Sequence, residues 1–169
     1  MGSRWDLVEQ LAAALATITA GAVGAGPHAY TYTLTAAAIL YGESEEPPPS
    51  GEPAYLALGS PRETEAPAGL LGADNWNLFI PVRGWVAPTA DTGAKRYRGV
   101  LDLFEDLEFC VQSRRLTLGG TGLDDALPID SPTVLLLSSQ VLREARAWGR
   151  FDALVTIPYR RWRVPPVSA

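Results

Sequence analysis

Apolar residues recur at helical spacing in two segments of the chain. The first predicts a helix over about residues 4 to 19, which Ser3 could cap. The second predicts a longer helix at Lys95–Arg115, capped by Asp91 or Thr92. Because an apolar stripe on a helix must be buried against another element, we expect the longer helix to pack on a sheet. The stripes consist of Leu7, Val8, Leu11, Leu15 and Ile18 in the first segment, and of Tyr97, Val100, Leu101, Phe104, Leu107 and Val111 in the second.

Three further segments have the composition or the alternation of β-strands. Tyr30–Tyr41 alternates threonines with apolar residues over part of its length and predicts one long strand. Ala54–Leu58 is short and lies between clusters of prolines, which favours an edge strand. Asn77–Val86 has aliphatic residues at alternate positions, and Pro81 within it indicates an edge or a bulge.

The last part of the sequence predicts a β-hairpin. Its two arms are Thr133–Ala147 and Phe151–Trp162, joined at residues 148–150. The second arm alternates in polarity, which predicts one buried face and one more polar face. The residues expected on the buried face are Phe151, Ala153, Val155, Ile157 and Tyr159.

The order of these elements favours a single α+β domain over residues 1–169. Helix, strands, helix and hairpin do not alternate as they would in a parallel βαβ chain. We therefore expect a mostly antiparallel sheet with two main helices packed on it and a long C-terminal β-hairpin.

The stretch 42–76 is unusual because prolines and glutamates dominate it. We interpret it as a loop insertion that is interrupted only by the strand at Ala54–Leu58. Two interpretations stay open: the loop binds a partner or is mobile, or it is an ordinary solvated surface loop. The candidate partner-binding residues are Glu43, Glu45, Glu46 and Glu52.

Charge and hydropathy narrow the classes of partner. A net charge of −5 argues against a protein that binds nucleic acid over its whole surface. Arginines collect after residue 131, however, so a local contact with an anion stays open. The apolar run Leu11–Ala25 is rich in Ala and Gly and shorter than a membrane span of about 20 residues, so no membrane partner is expected. The lone Cys110 is expected to be a buried thiol, which fits synthesis in a reducing cytoplasm.

The sequence contains no combination of residues that predicts a catalytic centre or a metal site. His28 is the only histidine and has no obvious partner, so we interpret it as a turn residue. One cysteine and one histidine are too few for a zinc site within one subunit. The glycine-rich turn 118–122 lacks the lysine of a phosphate-binding loop. Asp124, Asp125 and Asp130 lack the spacing of a calcium loop, and we expect neither an enzyme nor a cofactor.

Acidic residues are densest on the second predicted helix, at Glu105, Asp106 and Glu108. They point away from the apolar stripe that contains Phe104 and Leu107. We therefore interpret these three carboxylates as a solvent-exposed, solubilising surface rather than as an acid and base pair.

Arginine and tryptophan are concentrated around the predicted hairpin. These residue types stack on single-stranded bases, and they are also enriched where proteins contact each other. Because the chain as a whole is acidic, we favour a protein interface over nucleic-acid binding. The candidate interface residues are Arg143, Arg146, Trp148, Arg150, Arg160, Arg161 and Trp162.

The order and texture of the segments also resemble those of a known family. The relevant features are the amino-terminal helix, Asn77–Val86, Lys95–Arg115 with its Leu101-Asp102-Leu103 and Asp106-Leu107-Glu108 pattern, the Leu118-Gly119-Gly120 turn and the hairpin ending in Ile157-Pro158-Tyr159-Arg160. In this order the chain is similar to the tail terminator and tail completion proteins of long-tailed phages (siphophages). The resemblance spans most of the chain, although the loop at 42–76 is longer than the family leads us to expect.

The resemblance implies a homohexameric ring that caps the finished tail tube, stops its polymerisation and presents its other face to the head-neck connector. Its partners would be other copies of the chain, the tail tube protein and the connector protein, with DNA only passing through the lumen. The ring would be assembled in the bacterial cytoplasm and would lie in the tail-neck region of the virion. The arginines would then serve contacts between subunits or neighbouring rings, while acidic residues line the channel. Another neck or tail-tube subunit, a nucleic-acid-binding module and a hydrolase remain as alternatives.

Overall fold

A computed structural model describes residues 4–23, 28–49, 51–66, 73–88, 93–113, 126–128, 132–142 and 147–162. Within these ranges the chain forms two α-helices, one 3₁₀ turn at Ala36–Ala38 and seven β-strands. The helices are α1 (Arg4–Leu15) and α2 (Gly93–Ser113), and the strands are β1 (Ile39–Tyr41), β2 (Ala54–Leu58), β3 (Arg62–Ala66), β4 (Ala73–Val86), β5 (Ala126–Pro128), β6 (Thr133–Val141) and β7 (Gly149–Trp162).

Two strands of 14 residues, β4 and β7, form the centre of the sheet and pair antiparallel along their whole length. The other edge of each is occupied by two short strands in series. β2 and β3 pair antiparallel with β4, while β5 and β6 pair antiparallel with β7. β1 pairs in parallel with β2 and lies at one edge of the sheet, with β5 and β6 at the other. The predicted α+β class with a mostly antiparallel sheet is therefore confirmed.

The inner face of the sheet, which both helices cover, contains the core. All five residues of β7 that the alternation predicts as buried are at most 1% exposed. α2 lies close to this face because two glycines leave room for it and for its neighbours. A Cβ at Gly84 would come within 2.1 Å of the Phe151 ring, and a Cβ at Gly149 within 2.5 Å of Val100 Cγ2. Phe151 in turn meets Phe104 of α2 edge to face, with ring centroids 5.5 Å apart.

The predicted long strand at Tyr30–Tyr41 is wrong, because only Ile39–Tyr41 pairs as a strand. The backbone before β1 has other hydrogen-bond partners. The Leu34 N–H donates to the Ile18 carbonyl at 2.9 Å, and the Tyr32 N–H donates to a side chain of α2 at 2.8 Å. Each N–H used in this way is no longer available to a strand ladder, so the alternation of threonines does not produce a strand.

The stretch 42–76 contains more regular structure than its composition predicts. Ala54–Leu58 is a strand as expected, but it lies between β1 and β4 and is buried throughout, so its prediction as an edge strand is wrong. β3 and the start of β4 also fall in this stretch, which corrects its interpretation as a loop with a single interruption. β2 and β3 form because they pair with the long central strand β4, and this pairing outweighs the low strand propensity of the glutamates and prolines in this stretch.

Pro81 lies in the central strand β4 rather than at an edge of the sheet. Its carbonyl accepts a hydrogen bond from the Gly59 N–H at 2.7 Å, at the connection between β2 and β3. The N–H and the carbonyl of a residue in an antiparallel strand point to the same side. The N–H that Pro81 lacks would therefore face the connection between β2 and β3, where no strand residue needs it as a hydrogen-bond donor. A break between two short strands therefore tolerates a proline in the middle of the sheet.

The hairpin of β6 and β7 forms as predicted, but its connection lies elsewhere. Gly149 pairs with Val141 and Arg150 pairs with Gln140, so the two residues predicted to turn the chain belong to β7. The remaining predicted turn residue, Trp148, precedes the strand. Arg150 lies on the outer face opposite Gln140, so the alternation of inner and outer residues in β7 extends back to the start of the strand.

Some sequence predictions fall outside the described residues or differ only in their bounds. α1 ends at Leu15 rather than at residue 19, while α2 begins and ends within two residues of the prediction. Cys110 is a buried free thiol, as expected, and its Sγ–H donates to the Ala14 carbonyl at 3.4 Å. The features outside the described residues are Ser3, Asp91, Thr92, Arg114, Arg115, the turn 118–122, Asp124, Asp125 and Asp130.

Candidate functional site

An aromatic cluster lies on the outer face of the sheet, which is the face opposite the helices. Tyr55 of β2 and Trp85 of β4 are directly opposed in the ladder. Trp148 meets both of them, with ring centroids 6.1 Å from Tyr55 and 6.4 Å from Trp85. The guanidinium groups of Arg83 and Arg150 lie 5.9 Å and 5.8 Å from the centre of the Trp85 ring, within range of cation–π attraction. Trp85 is consequently buried and belongs to the hydrophobic core, although it lies on the face of the sheet opposite the helices.

The same two arginines bind the acidic segment at 43–46. Glu45 contacts Arg83 Nη1 at 3.3 Å and Arg150 Nη1 at 3.2 Å, and these hydrogen bonds, that of Arg150 first, lower the pKa of the Glu45 carboxyl. Arg83 also donates to the Ser44 carbonyl at 2.6 Å and, through Nε, to Asp152 at 2.6 Å. The structure thus brings together Glu45, Arg150 and Trp148, three residues that the sequence places in two separate candidate sets.

A second contact attaches the same segment to the sheet. The Tyr55 hydroxyl donates to the Pro49 carbonyl at 2.9 Å and accepts from the Glu52 N–H at 3.1 Å. Between this contact and the Glu45 network, the segment crosses the outer face above β2. Glu43 and Glu46 remain exposed to solvent. The segment before β2 is therefore attached to the outer face at two places, through Ser44 and Glu45 and through Pro49 and Glu52.

A cavity of about 260 Å³ lies beneath the acidic segment on the outer face. Its polar walls come from Glu43, Glu45, Arg83 and Asp152, and Leu137 of β6 forms part of its apolar side. Most of the charge in this cavity is already paired within the chain. Among the described residues no group of three His, Cys, Asp or Glu side chains is arranged to hold a metal ion.

The free edge of the sheet at β6 carries exposed leucines. Leu135 and Leu137 are 60% and 57% exposed and belong to the outer face, and Leu142 just beyond the strand is 43% exposed. A bulge falls between Leu136 and Ser138, so that Leu137 has no partner residue on β7. We refer to Leu135, Leu137 and Leu142 as the leucine surface. Large apolar side chains grouped on an edge strand are a typical feature of protein contact surfaces.

The opposite edge of the sheet carries an exposed aromatic pair. Trp5 of α1 and Tyr41 of β1 are 52% and 54% exposed, and their rings pack at 5.4 Å with a 40° tilt. They open onto a cavity of about 310 Å³ on the helix side of the sheet. We call this cavity the aromatic cleft; its lining residues are Arg4, Trp5, Val8, Tyr41, Gly42, Leu58, Gly59, Ser60 and Pro61.

The arginines predicted as one interface cluster do not form one patch. Arg150 lies at one end of β7 and Arg160 and Arg161 lie at the other, which separates them by about 33 Å of extended strand. Arg160 Nε donates to Asn75 Oδ1 at 3.2 Å, and Arg161 is exposed. The side chain of Trp162 and the residues Arg143 and Arg146 lie outside what the structure describes.

A polar contact near that end of β7 ties α1 to the sheet. Arg4 Nε binds Glu63 of β3 at 2.5 Å, and the Tyr159 hydroxyl donates to the same carboxylate. Burial opposes ionisation of Glu63, but the hydrogen bonds from Arg4 and Tyr159 outweigh it and lower the pKa of this carboxyl. Burial and the bond to Glu63 raise the pKa of Tyr159 to about 12.

The sequence interpretation missed a buried polar contact between α2 and the segment before β1. Asp106, expected on the wet face of the helix, is fully buried. Its carboxylate contacts His28 Nε2 at 3.0 Å and accepts the N–H groups of Thr31 and Tyr32 at 3.0 Å and 2.8 Å. His28 also stacks on Phe109 at 4.1 Å, so the prediction that it has no partner is wrong.

A helical signal for this contact exists in the sequence. The residues of α2 that are fully buried include Leu103, Asp106, Leu107 and Cys110, at offsets of 0, 3, 4 and 7. The true buried stripe is therefore rotated from the predicted one, and Tyr97 is exposed. Because the Asp106 carboxylate is saturated by neighbouring donors, the arrangement stabilises the fold rather than presenting a reactive group.

The described helices include none that is both long and apolar enough to cross a membrane. No known protein-family model matches the chain, and no curated protein is significantly similar to it in sequence.

Proposed function

We propose that this chain is a structural subunit that assembles with copies of itself, and that the assembly is a ring that ends the tail tube of a long-tailed phage. The observation that supports self-assembly best is the leucine surface, whose two strand residues Leu135 and Leu137 are 60% and 57% exposed at the sheet edge. Apolar surface of this kind gains free energy when it leaves water, at about 25 cal/mol per Å². The choice of a tail terminator rests on the order of segments described above.

A terminator needs no chemical step to perform its task. A tube grows because each ring offers the next a complementary surface, and growth stops when the last ring matches the tube on one side only. Six weak contacts made together would give such a ring strong avidity for the tube end. The opposite side would then be free for the head-neck connector, and DNA would pass through the lumen during injection. On this proposal the protein is not an enzyme, and it resides in the tail-neck region of the virion.

The exposed carboxylates Glu43 and Glu46 fit a lumen or a ring surface that does not retain DNA. An arginine-lined channel would bind the phosphates through release of counterions, whereas acidic side chains let the duplex slide. Arg83 and Arg150, by contrast, are occupied by Glu45 and Asp152 within the same chain. Those two arginines therefore order the subunit itself, and the proposed role of arginines in subunit contacts passes to those outside this network.

The proposal can be tested by measuring the mass of the purified protein in solution and imaging it by negative stain. We expect closed rings, and rings that bind the ends of tail tubes when the tube protein of the same phage is added. Leu135→Glu combined with Leu137→Glu should abolish the rings while the far-ultraviolet circular dichroism stays unchanged. Val23→Glu is the matched control, since Val23 is 66% exposed and lies on neither sheet edge.

Other outcomes decide against the terminator. Filaments at high concentration would favour a tail-tube subunit, which polymerises without limit. A monomer that binds neither itself nor a tube end would contradict the proposal altogether. Binding to DNA that weakens steeply with salt would favour a nucleic-acid-binding module instead.

A further inference from the structure

We propose that Arg83 and Arg150 form a binding site for an acidic peptide segment of a partner protein, and that residues 43–46 occupy this site as an internal substitute in the free subunit. The partner's segment carries a carboxylate two residues after an apolar side chain. This inference goes beyond the proposed self-assembly, and its test does not depend on ring formation. In the free subunit the two arginines order their own chain; the inference concerns what they bind when the segment leaves.

The site is built into the sheet without help from the segment. The guanidinium groups of Arg83 and Arg150 lie 5.9 Å and 5.8 Å from the centre of the Trp85 ring, and Arg83 Nε also donates to Asp152 at 2.6 Å. The side chains of the two arginines are only 20% and 26% exposed, whereas that of Glu45 is 80% exposed. The cations are thus recessed and held from below, and the carboxylate lies above them. Side chains that are already held lose little freedom when one ligand replaces another.

The bound segment shows which chemistry the site accepts. Arg83 Nη1 donates to the Ser44 carbonyl at 2.6 Å and lies 3.3 Å from the Glu45 carboxylate. Arg150 Nη1 binds the same carboxylate at 3.2 Å. The arginines therefore bind a main-chain carbonyl together with the carboxylate of the next residue. A peptide presents this combination, and the phosphates of a nucleic acid do not.

The charges of this network favour a ligand with a single carboxylate at the site. Asp152 pairs with Arg83, so the departure of Glu45 leaves one of the two positive charges without a counter-charge from the network. A partly buried charge that loses its partner is costly, which favours replacement by another carboxylate. The further charges of a polyanion would lie close to Asp152 and Glu43, which repel them.

The cavity beneath the segment indicates which side chain should precede that carboxylate. Its volume is about 260 Å³, and Ala57, Pro81 and Leu137 form apolar parts of its wall. Glu43 lines the same cavity, and a Cβ at Gly59 would come within 2.7 Å of its Oε1 and 3.1 Å of the Pro81 Cβ. A carboxylate beside a proline gains nothing from leaving water, whereas an apolar side chain does. A segment with leucine at this position should therefore bind better than the chain's own segment.

The internal segment can leave while its two ends stay attached. Before it, the Gly42 N–H donates to the Leu58 carbonyl at 2.7 Å, and after it the Tyr55 hydroxyl donates to the Pro49 carbonyl at 2.9 Å. Neither of these bonds involves the two arginines. An exposed ion pair contributes little because water and salt replace it, so the residues between these two bonds can open without loss of the sheet.

The test measures binding of a fluorescently labelled peptide by anisotropy. The probe is Gly-Leu-Ser-Glu-Glu-Pro, which copies residues 42–47 with leucine in place of Glu43. Glu45→Gln removes the charge of the internal substitute. Glu46→Gln is the matched control, because it removes the same charge from the same segment while the hydrogen bonds of Glu46 to Ser44 are made by its backbone. We expect the Kd of Glu45→Gln to be about tenfold lower than that of Glu46→Gln or the unmodified protein, as for a segment that is bound about nine-tenths of the time.

Two further arms locate the binding. Glu45→Gln combined with Arg150→Gln should lose the peptide, with circular dichroism as the check on folding. A probe with glutamine in place of its first glutamate should not bind Glu45→Gln, and this arm still tests the charge contact if the double variant fails to fold. A probe that keeps glutamate in place of the leucine should bind several-fold more weakly.

Four outcomes would overturn the inference. Equal affinity of Glu45→Gln and Glu46→Gln would show that the segment does not occupy the site. Binding that survives Arg150→Gln, or the loss of the probe's first carboxylate, would place the peptide elsewhere. The absence of binding to Glu45→Gln would show that the arginines accept no external peptide. Tighter binding of a single-stranded oligonucleotide than of the probe would assign the site to phosphates instead.

Discussion

Asp106 and Glu45 are both acidic residues in stretches that the sequence marks as exposed, yet the structure treats them differently. Asp106 is fully buried beneath the segment before β1 and is surrounded by His28 and two backbone N–H groups. The side chain of Glu45 is 80% exposed and meets the ends of Arg83 and Arg150. The first carboxylate joins α2 to a segment that has no sheet ladder, while the second attaches a segment to a strand face.

The difference shows that the number of contacts is a poor guide to the energy of a polar group. A buried carboxylate that loses its hydrogen-bond donors cannot bind water instead, and buried N–H groups that lose their carboxylate acceptor are equally costly. An exposed ion pair exchanges its protein partner for water and salt, so its net contribution is about 0–1 kcal/mol in the typical case. Burial, rather than the count of partners, therefore decides which of the two regions holds the fold together.

The largest effect is expected from Asp106→Ala. The change leaves the N–H groups of Thr31 and Tyr32 and the His28 ring without their acceptor in a buried place, which should lower the free energy of unfolding by about 3–5 kcal/mol. Urea denaturation followed by tryptophan fluorescence measures this. Glu105→Ala, one residue away but exposed, is the matched control and should stay within about 0.5 kcal/mol of the unmodified protein. Equal losses for the two variants would contradict the comparison.

Alkaline pH should weaken the buried region more gradually. Burial, with Asp102 and Asp106 nearby, raises the pKa of Tyr32 to about 12. Because the protonated phenol is favoured in the folded state, this stabilisation is complete below pH 10 and is lost as the pH rises from about 10 toward 12. At pH 11 the loss from this group is roughly 1 kcal/mol relative to pH 9.

Urea midpoints at pH 9 and pH 11 measure the effect, and Tyr32→Phe should reduce the difference between them. Tyr41→Phe serves as the control because Tyr41 is more than half exposed. An unchanged pH dependence in the Tyr32 variant would argue against this origin of the alkaline sensitivity.

A smaller effect is expected from Arg83→Ala on the outer face. The variant loses the bond to Asp152, the contact with Glu45 and the position over Trp85, which together should lower the free energy of unfolding by about 1–2 kcal/mol. Arg98→Ala is the control, since the Arg98 side chain is 84% exposed and, among the described residues, pairs with Asp102 at 3.6 Å on α2. That control should cost less than about 0.5 kcal/mol.

Glu45→Gln should leave global stability unchanged and loosen only the segment at 43–46. The Arg150 and Arg83 hydrogen bonds lower the Glu45 pKa, so its contact is present above the ordinary pKa of the carboxyl and is lost as the pH falls through the lowered value. Hydrogen exchange should become faster in this segment, with no change in β2. A global loss comparable to that of Asp106→Ala would mean that the exposed network stabilises the fold as strongly as the buried one.

Local patterns in the sequence predicted the parts of the fold that depend on local rules. The alternation in Phe151–Trp162 identified its buried face, and the run Ala54–Leu58 identified β2 at its observed bounds. The prediction of one long strand at Tyr30–Tyr41 was wrong because the carboxylate that binds its backbone lies about 75 positions away in the chain. A helix stripe can be rotated by one buried polar residue, and hydropathy alone counts Asp106 as exposed.

The candidate site was less predictable for the same reason. Glu45 and Arg150 are 105 positions apart, so no local spacing in the sequence predicts their contact. Composition singled out the Arg and Glu sets, but whether a given side chain binds within the chain or faces outward depends on the register of β4 and β7. The leucines of β6 were missed as candidates because a leucine in a strand is normally assigned to the core.

The bulge at Leu137 allows the chain to change one side chain at little cost. The pairs Leu136 with Ala153 and Ser138 with Asp152 are adjacent rungs on β7, so Leu137 is a supernumerary residue. Deleting its codon would close a regular ladder and leave every other pair in place. A single insertion or deletion event in the gene could therefore add or remove an exposed apolar side chain at this edge without shifting the strand register.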